Sequence, residues 1–122
     1  RDVLIEGNQL SITDGTGTGS FELGAAAGSV KVDVLNTAGT VVDTVDLGAE
    51  GAGRQSFTWD AGKVTDAAGY TFKVNASTGG TAITATALMR DKVEAVNTSG
   101  STLTLELARN GAVAYSKIKA LN

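Results

Sequence analysis

Trp59, the only tryptophan of the chain, stands beside residues that could form a binding site. Asp60 follows it directly, and Asp66 comes later in the same stretch, FTWDAGKVTDAAGYTF (residues 57–72). An indole can stack on a sugar ring while carboxylates accept hydrogen bonds from the hydroxyl groups. The competing interpretation makes the stretch a strand, an Asx turn begun by Asp60, and a second strand reached through Gly69. We favour the second, because a chain with only 5% aromatic residues is expected to bury its one tryptophan.

The residue types that most often carry catalysis are missing. The chain contains no histidine and no cysteine, which excludes Ser-His-Asp and Cys-His nucleophiles, zinc fingers and thiol redox chemistry. We therefore predict no enzyme, with no catalytic, cofactor-binding or metal-binding residue. Four acids could gather at one sheet end as a weak cation site, although solvated surface charge is the favoured interpretation. These acids are Asp33, Asp43, Asp46 and Glu50.

Charge and hydropathy exclude two further classes of partner. The ten basic residues are spread along the chain without a cluster, and the net charge is −3, so no nucleic-acid partner is expected. No apolar run approaches the roughly 20 residues of a membrane-spanning helix, so no membrane insertion is expected. GTGTG (residues 15–19) looks like a phosphate-binding loop, but such a loop needs a following helix, and SFEL here predicts a strand. We interpret residues 15–19 as a connector and a candidate domain boundary.

Short apolar runs separated by the 16 glycines predict an all-β protein. Valines alternate with polar residues over 30–34, and leucines do so over 103–107, as in half-buried strands. A helix over residues 103–121 is the competing interpretation of the last third. One strand is predicted over residues 81–89. The phase of the alternation changes after Tyr115, which predicts a bulge there.

Turns are predicted where residues that tolerate a positive φ come together. Residues 36–39 (NTAG) form one such turn, and Gly79-Gly80 forms a tight hairpin turn. Asn110-Gly111 is expected to form a type I′ hairpin turn. LGAEGAG (residues 47–53) is predicted to be a loop.

The order of the motifs resembles one protein family. Residues 28–74 are similar to the inserted Ig-like domain of the FlgD family of bacterial flagellar hook-capping proteins. The matching features are a V-x-V-x-[IVL] strand, an Asn/Asp-x-x-Gly turn, LG-x-x-x-AG, F-x-WD and G-Y-x-F. KVEAV, STLTLEL and GAVAYSKIKAL resemble the closing strands of the same region, and LIEGNQL resembles its opening. The family usually has Gly where this chain has Ala61. The residues of the diagnostic motif are Phe57, Trp59, Asp60, Gly69, Tyr70 and Phe72.

The resemblance implies an all-β fold in two parts. A small Tudor-like β-barrel would be formed by both chain ends, residues 1–18 and 86–122. An Ig-like, fibronectin type III-like sandwich, residues 19–85, would be inserted between them. Trp59 and Tyr70 would then pack the sandwich core from adjoining strands.

The resemblance also implies a function that depends on surfaces. It implies a scaffold at the distal tip of the growing flagellar hook, exported by the flagellar type III pathway. The partners would be flagellar hook subunits and further copies of the chain in an oligomeric cap, with outer strands as contact surfaces. We expect the sequence to be a fragment that lacks the family's N-terminal export region. The alternative is a carbohydrate- or other ligand-binding Ig-like module of a bacterial surface protein.

Overall fold

A computed structural model describes residues 2–62, 69–99 and 102–121. Within them the chain forms β-strands, turns and one 3-10 turn at Tyr115–Lys117, so the all-β prediction is confirmed. No helix in this described part is long and apolar enough to cross a membrane. The strands are β1 Asp2–Glu6, β2 Ser11–Thr13, β3 Thr16–Leu23, β4 Ala27–Leu35, β5 Val41–Glu50, β6 Gly53–Asp60, β7 Thr71–Thr78, β8 Thr81–Ile83, β9 Ala85–Ser99, β10 Thr102–Leu107, β11 Gly111–Ala114 and β12 Ile118–Leu121.

The chain divides into two compact units. The sandwich unit is Gly7–Leu88, and the terminal unit combines the chain up to Glu6 with the chain from Met89 onward. The sequence predicted that the chain passes from the barrel to the sandwich after residue 18 and returns to the barrel after residue 85. In the structure β2 and β3 belong to the sandwich unit because β3 pairs with both β2 and β6. The Gly7 amide donates to the Ala87 carbonyl at 3.0 Å, so the two ends of the sandwich unit lie side by side.

Two antiparallel sheets enclose the core of the sandwich unit. One sheet has the strand order β5-β4-β7-β8. In the other, β3 pairs with β6 along one side and with β2 and the first residues of β9 along the other. The alternating valines Val30, Val32 and Val34 are fully buried from the first sheet, as their spacing predicted. Phe21 of the second sheet and Phe72 of the first fill the space between them.

The glycine-rich residues 15–19 are not a connector between domains. Thr16–Gly19 lie in β3, where Gly17 stands opposite Trp59 and Gly19 opposite Phe57. A Cβ at Gly19 would lie 2.6 Å from the Phe57 ring, and one at Gly17 would lie 3.1 Å from the Trp59 ring. Glycine is therefore required for packing: its missing side chain leaves room for an aromatic ring on the neighbouring strand.

Two strand boundaries differ from the sequence prediction. The strand predicted over residues 81–89 breaks at Thr84: β8 ends at Ile83 in one sheet, and β9 begins at Ala85 in the other. The loop predicted over residues 47–53 is mostly strand, because β5 continues to Glu50. A positive φ of 68° at Gly48 accompanies a register shift there, so this glycine forms a bulge within β5.

The hairpin turns follow the sequence with one correction. The Asn36 carbonyl accepts the Gly39 amide at 3.0 Å, which confirms the NTAG turn. Gly79-Gly80 connects β7 to β8 with positive φ at both residues, as predicted. The type I′ turn predicted at Asn110-Gly111 is wrong. Leu107 pairs with Gly111, so the loop has three residues, and Gly111 closes it with a φ of 64°.

The strands of the terminal unit follow the order β11-β10-β9-β1-β12, and the β11–β10, β10–β9 and β1–β12 pairs are antiparallel. Its apolar cluster is Val3, Ile5, Met89, Leu105 and Leu107. Strand β10 confirms the leucine alternation and excludes the helix considered for residues 103–121. The bulge predicted after Tyr115 is instead the 3-10 turn Tyr115–Lys117, which shifts the phase between β11 and β12. The Tudor-like identity of this unit stays a prediction.

Candidate interaction surfaces

The motif residues of the opening stretch form the centre of the sandwich core. Phe57 and Phe72 meet edge to face with ring centroids 5.0 Å apart, and Phe57 also lies 6.4 Å from Phe21. Trp59 stacks on Tyr70 at 5.8 Å and is only 7% exposed. The prediction that Trp59 lies in the core is therefore confirmed. Trp59 lies in β6, and Tyr70 lies directly before β7. These two strands follow each other in the sequence but belong to different sheets.

Asp60, the carboxylate of the stretch that the structure describes, does not combine with the tryptophan into a sugar site. Asp60 is exposed, and its carboxylate accepts the Gly62 amide at 3.0 Å, as expected for an Asx turn. Asp66 lies outside the described residues. Since Tyr70 already covers one face of the Trp59 indole, that face is not available for a ligand. The structure therefore does not favour the carbohydrate-binding alternative.

Gly69 is required by a close approach between two segments. A Cβ at this position would collide with the side chain of Thr37 in the turn between β4 and β5. The Leu10 amide donates to the Tyr70 carbonyl at 3.0 Å, so the residue after Gly69 is also bonded to the segment between β1 and β2. The glycine that the sequence assigned to a bend therefore allows Tyr70 to reach its stacking position on Trp59.

Asp43 is a structural partner that the sequence analysis did not find. Its carboxylate accepts the indole N–H of Trp59 at 2.8 Å and the Thr44 amide at 2.8 Å. The Trp59 hydrogen bond, followed by the Thr44 bond, lowers the pKa of Asp43 below its usual value, against a smaller opposing effect of burial. Asp43 has the same strand parity as Val45 and Leu47, which pack on the core. The sequence could have indicated this role, because Asp43 is an acid at the same alternate strand positions as two apolar residues.

The four acids considered as a cation site do not converge. Asp33 accepts hydrogen bonds from Thr44 and Asn75, and Asp46 accepts the Gly48 amide. The Asp43 carboxylate accepts the indole N–H of Trp59. In the described residues no group of three or more acids is placed to hold a metal ion.

Asp91 is the buried carboxylate of the terminal unit, at 4% exposure. Its carboxylate accepts the Asn110 side-chain amide at 2.6 Å and the Arg109 backbone amide at 3.1 Å. It also accepts the backbone amide of the next residue, Lys92, at 2.8 Å. All of these donors belong to the chain beside it or to the β10–β11 loop. Because its acceptor capacity is used for holding that loop, Asp91 has a structural role.

The surfaces left for partners lie on the outer strands of the sandwich. Within the described residues β5 pairs only with β4, and β6 pairs only with β3. Val41 and Val42 at the start of β5 are 51% and 47% exposed, an adjacent pair of large apolar side chains. β6 presents polar side chains to solvent at alternate positions, namely Arg54, Ser56, Thr58 and Asp60.

Comparison with known proteins identifies relatives over nearly the whole chain. The family model described as the FlgD Ig-like domain matches residues 7–80. The basal-body rod modification protein FlgD of Escherichia coli (strain K12) is 34% identical over 105 residues, which is 82% of this chain and 45% of that protein. The chain thus spans less than half the length of this curated relative.

Solved structures share the fold. The crystal structure of FlgD from P. aeruginosa superposes with a TM-score of 0.80 at 29% identity, covering 100% of this chain and 96% of that one. FlgD from Xanthomonas campestris, whose structure is described as giving insights into hook capping, has a TM-score of 0.68 at 23% identity over 99% and 91% of the two chains. Because the family model matches more than half of the sequence, this chain belongs to the FlgD Ig-like domain family.

Proposed function

We propose that this chain is the surface-presenting part of a flagellar hook-capping scaffold. It would help hook subunits assemble at the distal tip of the growing hook, after export by the flagellar type III pathway. Its partners would be hook subunits and further copies of the protein. Family membership carries the proposal, since the relatives are FlgD proteins and one is described as a hook-capping protein.

The chemistry of the described residues supports a non-enzymatic scaffold. The acids nearest to the aromatic motif are used locally: Asp43 holds the Trp59 indole, and Asp60 holds its own turn. The buried acid of the terminal unit, Asp91, holds a hairpin loop. A general acid or base must instead be within reach of a bound substrate and not be used to hold the fold.

The exposed valines of β5 are the proposed contact with hook subunits. Val41 and Val42 are consecutive exposed residues at the start of an outer strand, beside a register shift between β5 and β4, and large apolar side chains of this kind can anchor protein interfaces. The next residue, Asp43, uses its carboxylate to accept the Trp59 indole N–H.

A double substitution of this pair tests the proposal. We expect Val41→Ser with Val42→Ser to weaken binding of purified hook subunits about tenfold or more, measured by biolayer interferometry, since a central interface anchor contributes about 2 kcal/mol and a tenfold change in affinity corresponds to about 1.4 kcal/mol. Val96→Ser is the matched control, because Val96 is a 59% exposed valine of the terminal unit. Equal binding by the double variant would refute the β5 contact, and no binding by the unaltered chain would refute hook-subunit recognition by this region.

A further inference from the structure

The outer edge of β6 is regular over its whole length. Residues 53–60 pair with β3 one to one, with no register shift between Thr16 opposite Asp60 and Leu23 opposite Gly53. Within the described part of the chain no strand pairs with the other side of β6. Strand edges of this kind can take another strand, because their amide and carbonyl groups repeat at a fixed spacing.

The hydrogen-bond phase shows which residues point to that edge. The Ala61 amide donates to the Gly15 carbonyl at 2.8 Å, and this pair continues the register of β6 with β3. In an antiparallel ladder the residues that bond to a given neighbour alternate along the strand. The odd-numbered residues of β6 therefore direct their backbone groups to β3, and the even-numbered ones direct them to the outer edge. The even-numbered residues are Arg54, Ser56, Thr58 and Asp60.

The side chains at these positions are self-complementary. Antiparallel pairing of β6 with a second β6 about Phe57 places Arg54 opposite Asp60 twice and Ser56 opposite Thr58 twice. All of these pairs join even-numbered residues, so the backbone groups of the outer edges meet in the correct phase. Opposite charges and hydroxyl pairs are favourable directly across an antiparallel ladder. The four side chains are also exposed in the monomer, so no rearrangement is needed to present them.

We propose that two copies of this chain associate through their β6 strands in that register. The two sheets containing β3 and β6 would join into one continuous sheet across a two-fold axis. Such a contact is isologous, since each copy offers the same surface. The charge pattern selects a second copy over another extended segment, because the strand carries the complement of its own sequence. The inference rests on the proposed function in one respect, since it gives a surface to the self-association proposed there, and it is argued from the register and charges of β6. Hook-subunit binding is measured separately, so a failure of the β6 contact and a failure of the proposed function can be distinguished.

The contact is expected to be weak when the chain is alone. One strand pair buries less than the roughly 1,200 Å² of stable specific interfaces. The dimer should therefore appear only at high protein concentration, and low salt should strengthen it because the charge pairs are exposed. Sedimentation equilibrium over a concentration series at low ionic strength is the appropriate measurement.

Charge reversal gives a specific test of the register. We expect Arg54→Glu and Asp60→Lys each to weaken self-association about tenfold or more, because each places like charges opposite one another twice. The doubly reversed variant, carrying both substitutions, should recover the dimer. A mixture of the two single variants should also dimerise, because each then meets its complement in the other.

Controls separate this contact from general effects of charge and folding. Lys92→Glu changes the net charge by the same amount as Arg54→Glu, at an exposed position of the terminal unit, and should leave association unchanged. Asp60→Asn keeps an oxygen for the Gly62 amide while removing the charge, and should weaken association less than Asp60→Lys. Unchanged Trp59 emission verifies that the sandwich is folded. An unaltered chain that stays monomeric throughout, or a mixture no heavier than its components, overturns the proposal.

Discussion

β5 and β6 follow each other in the chain, and each is an outer strand of one sheet of the sandwich. β5 has ten residues, three register irregularities with β4, and two exposed valines at its start. β6 has eight residues, no irregularity with β3, and inward-facing aromatic rings. Bulges prevent a strand edge from pairing with another chain.

The two edges of the sandwich therefore suit different kinds of contact. The irregular edge of β5 suits side-chain contacts, through Val41 and Val42, because its backbone groups are not evenly spaced. The regular edge of β6 suits backbone pairing. Four experiments test the contrast, and the expected loss of stability decreases from the first to the last.

Removing a core side chain should lower the free energy of unfolding far more on β6 than on β5. Phe57→Ala deletes a ring that is 4% exposed and contacts two other aromatic rings, so we expect about 3–5 kcal/mol of lost stability. Leu47→Ala removes a partly buried side chain of β5 and should cost about 1–2 kcal/mol. Urea unfolding followed by Trp59 emission measures both. Equal losses would show that the two strands contribute equally to the core.

Adding a methyl group opposite β6 should also destabilise the sandwich. Gly19→Ala brings a Cβ to 2.6 Å from the Phe57 ring, and we expect about 1–3 kcal/mol of lost stability from overpacking. Gly28→Ala is the matched control in β4, since its Cβ would lie 3.9 Å from the nearest atom, the Ser77 carbonyl oxygen. Thermal unfolding compares the two. A Gly19→Ala variant as stable as the Gly28→Ala variant would contradict the packing role of the β3 glycines.

Removing the β5 acid that bonds the Trp59 indole should lower stability less, and it should also change the tryptophan emission. Asp43→Ala leaves the Trp59 indole N–H without its acceptor, so we expect a modest loss of stability and a change in the Trp59 emission maximum. Asp46→Ala removes another acid of β5, one that bonds the Gly48 amide, and should leave the Trp59 emission unchanged. Identical emission spectra for the two variants would argue against the Asp43–Trp59 bond in solution.

The same bond predicts the smallest effect, a pH dependence confined to acid. The pKa of Asp43 is lowered in the folded chain, so its contribution is present above the unfolded pKa of about 3.9 and is lost as the pH falls through the folded value. Asp43→Asn should therefore lower the unfolding free energy modestly at pH 7 and reduce its slope against pH below about pH 4, so that the difference from the unaltered chain disappears in acid. An unchanged slope would show that another carboxylate controls acid unfolding.

Local patterns predicted the fold well where the cause of the structure was also local. The alternation at residues 30–34 identified a buried strand because strand parity alone decides it, and Gly79-Gly80 identified its own turn. Residues 15–19 were misinterpreted because the reason for their glycines, the rings of Phe57 and Trp59, lies about 40 residues further along the chain. The Asp43–Trp59 bond was missed for the same reason: its partners come from strands in different sheets.

The hydrogen bond between Gly7 and Ala87 has a consequence for the order of folding. β1 and β12 pair Val3 with Leu121, so the terminal unit must join segments from opposite ends of the chain. Closing so long a loop of unfolded chain is costly in entropy, and nonlocal pairing of this kind slows folding. Once the sandwich has folded, residues 7 and 87 are held together, and the loop that remains to be closed is about a third as long. The sandwich is thus expected to act as an internal template, with the terminal unit forming last.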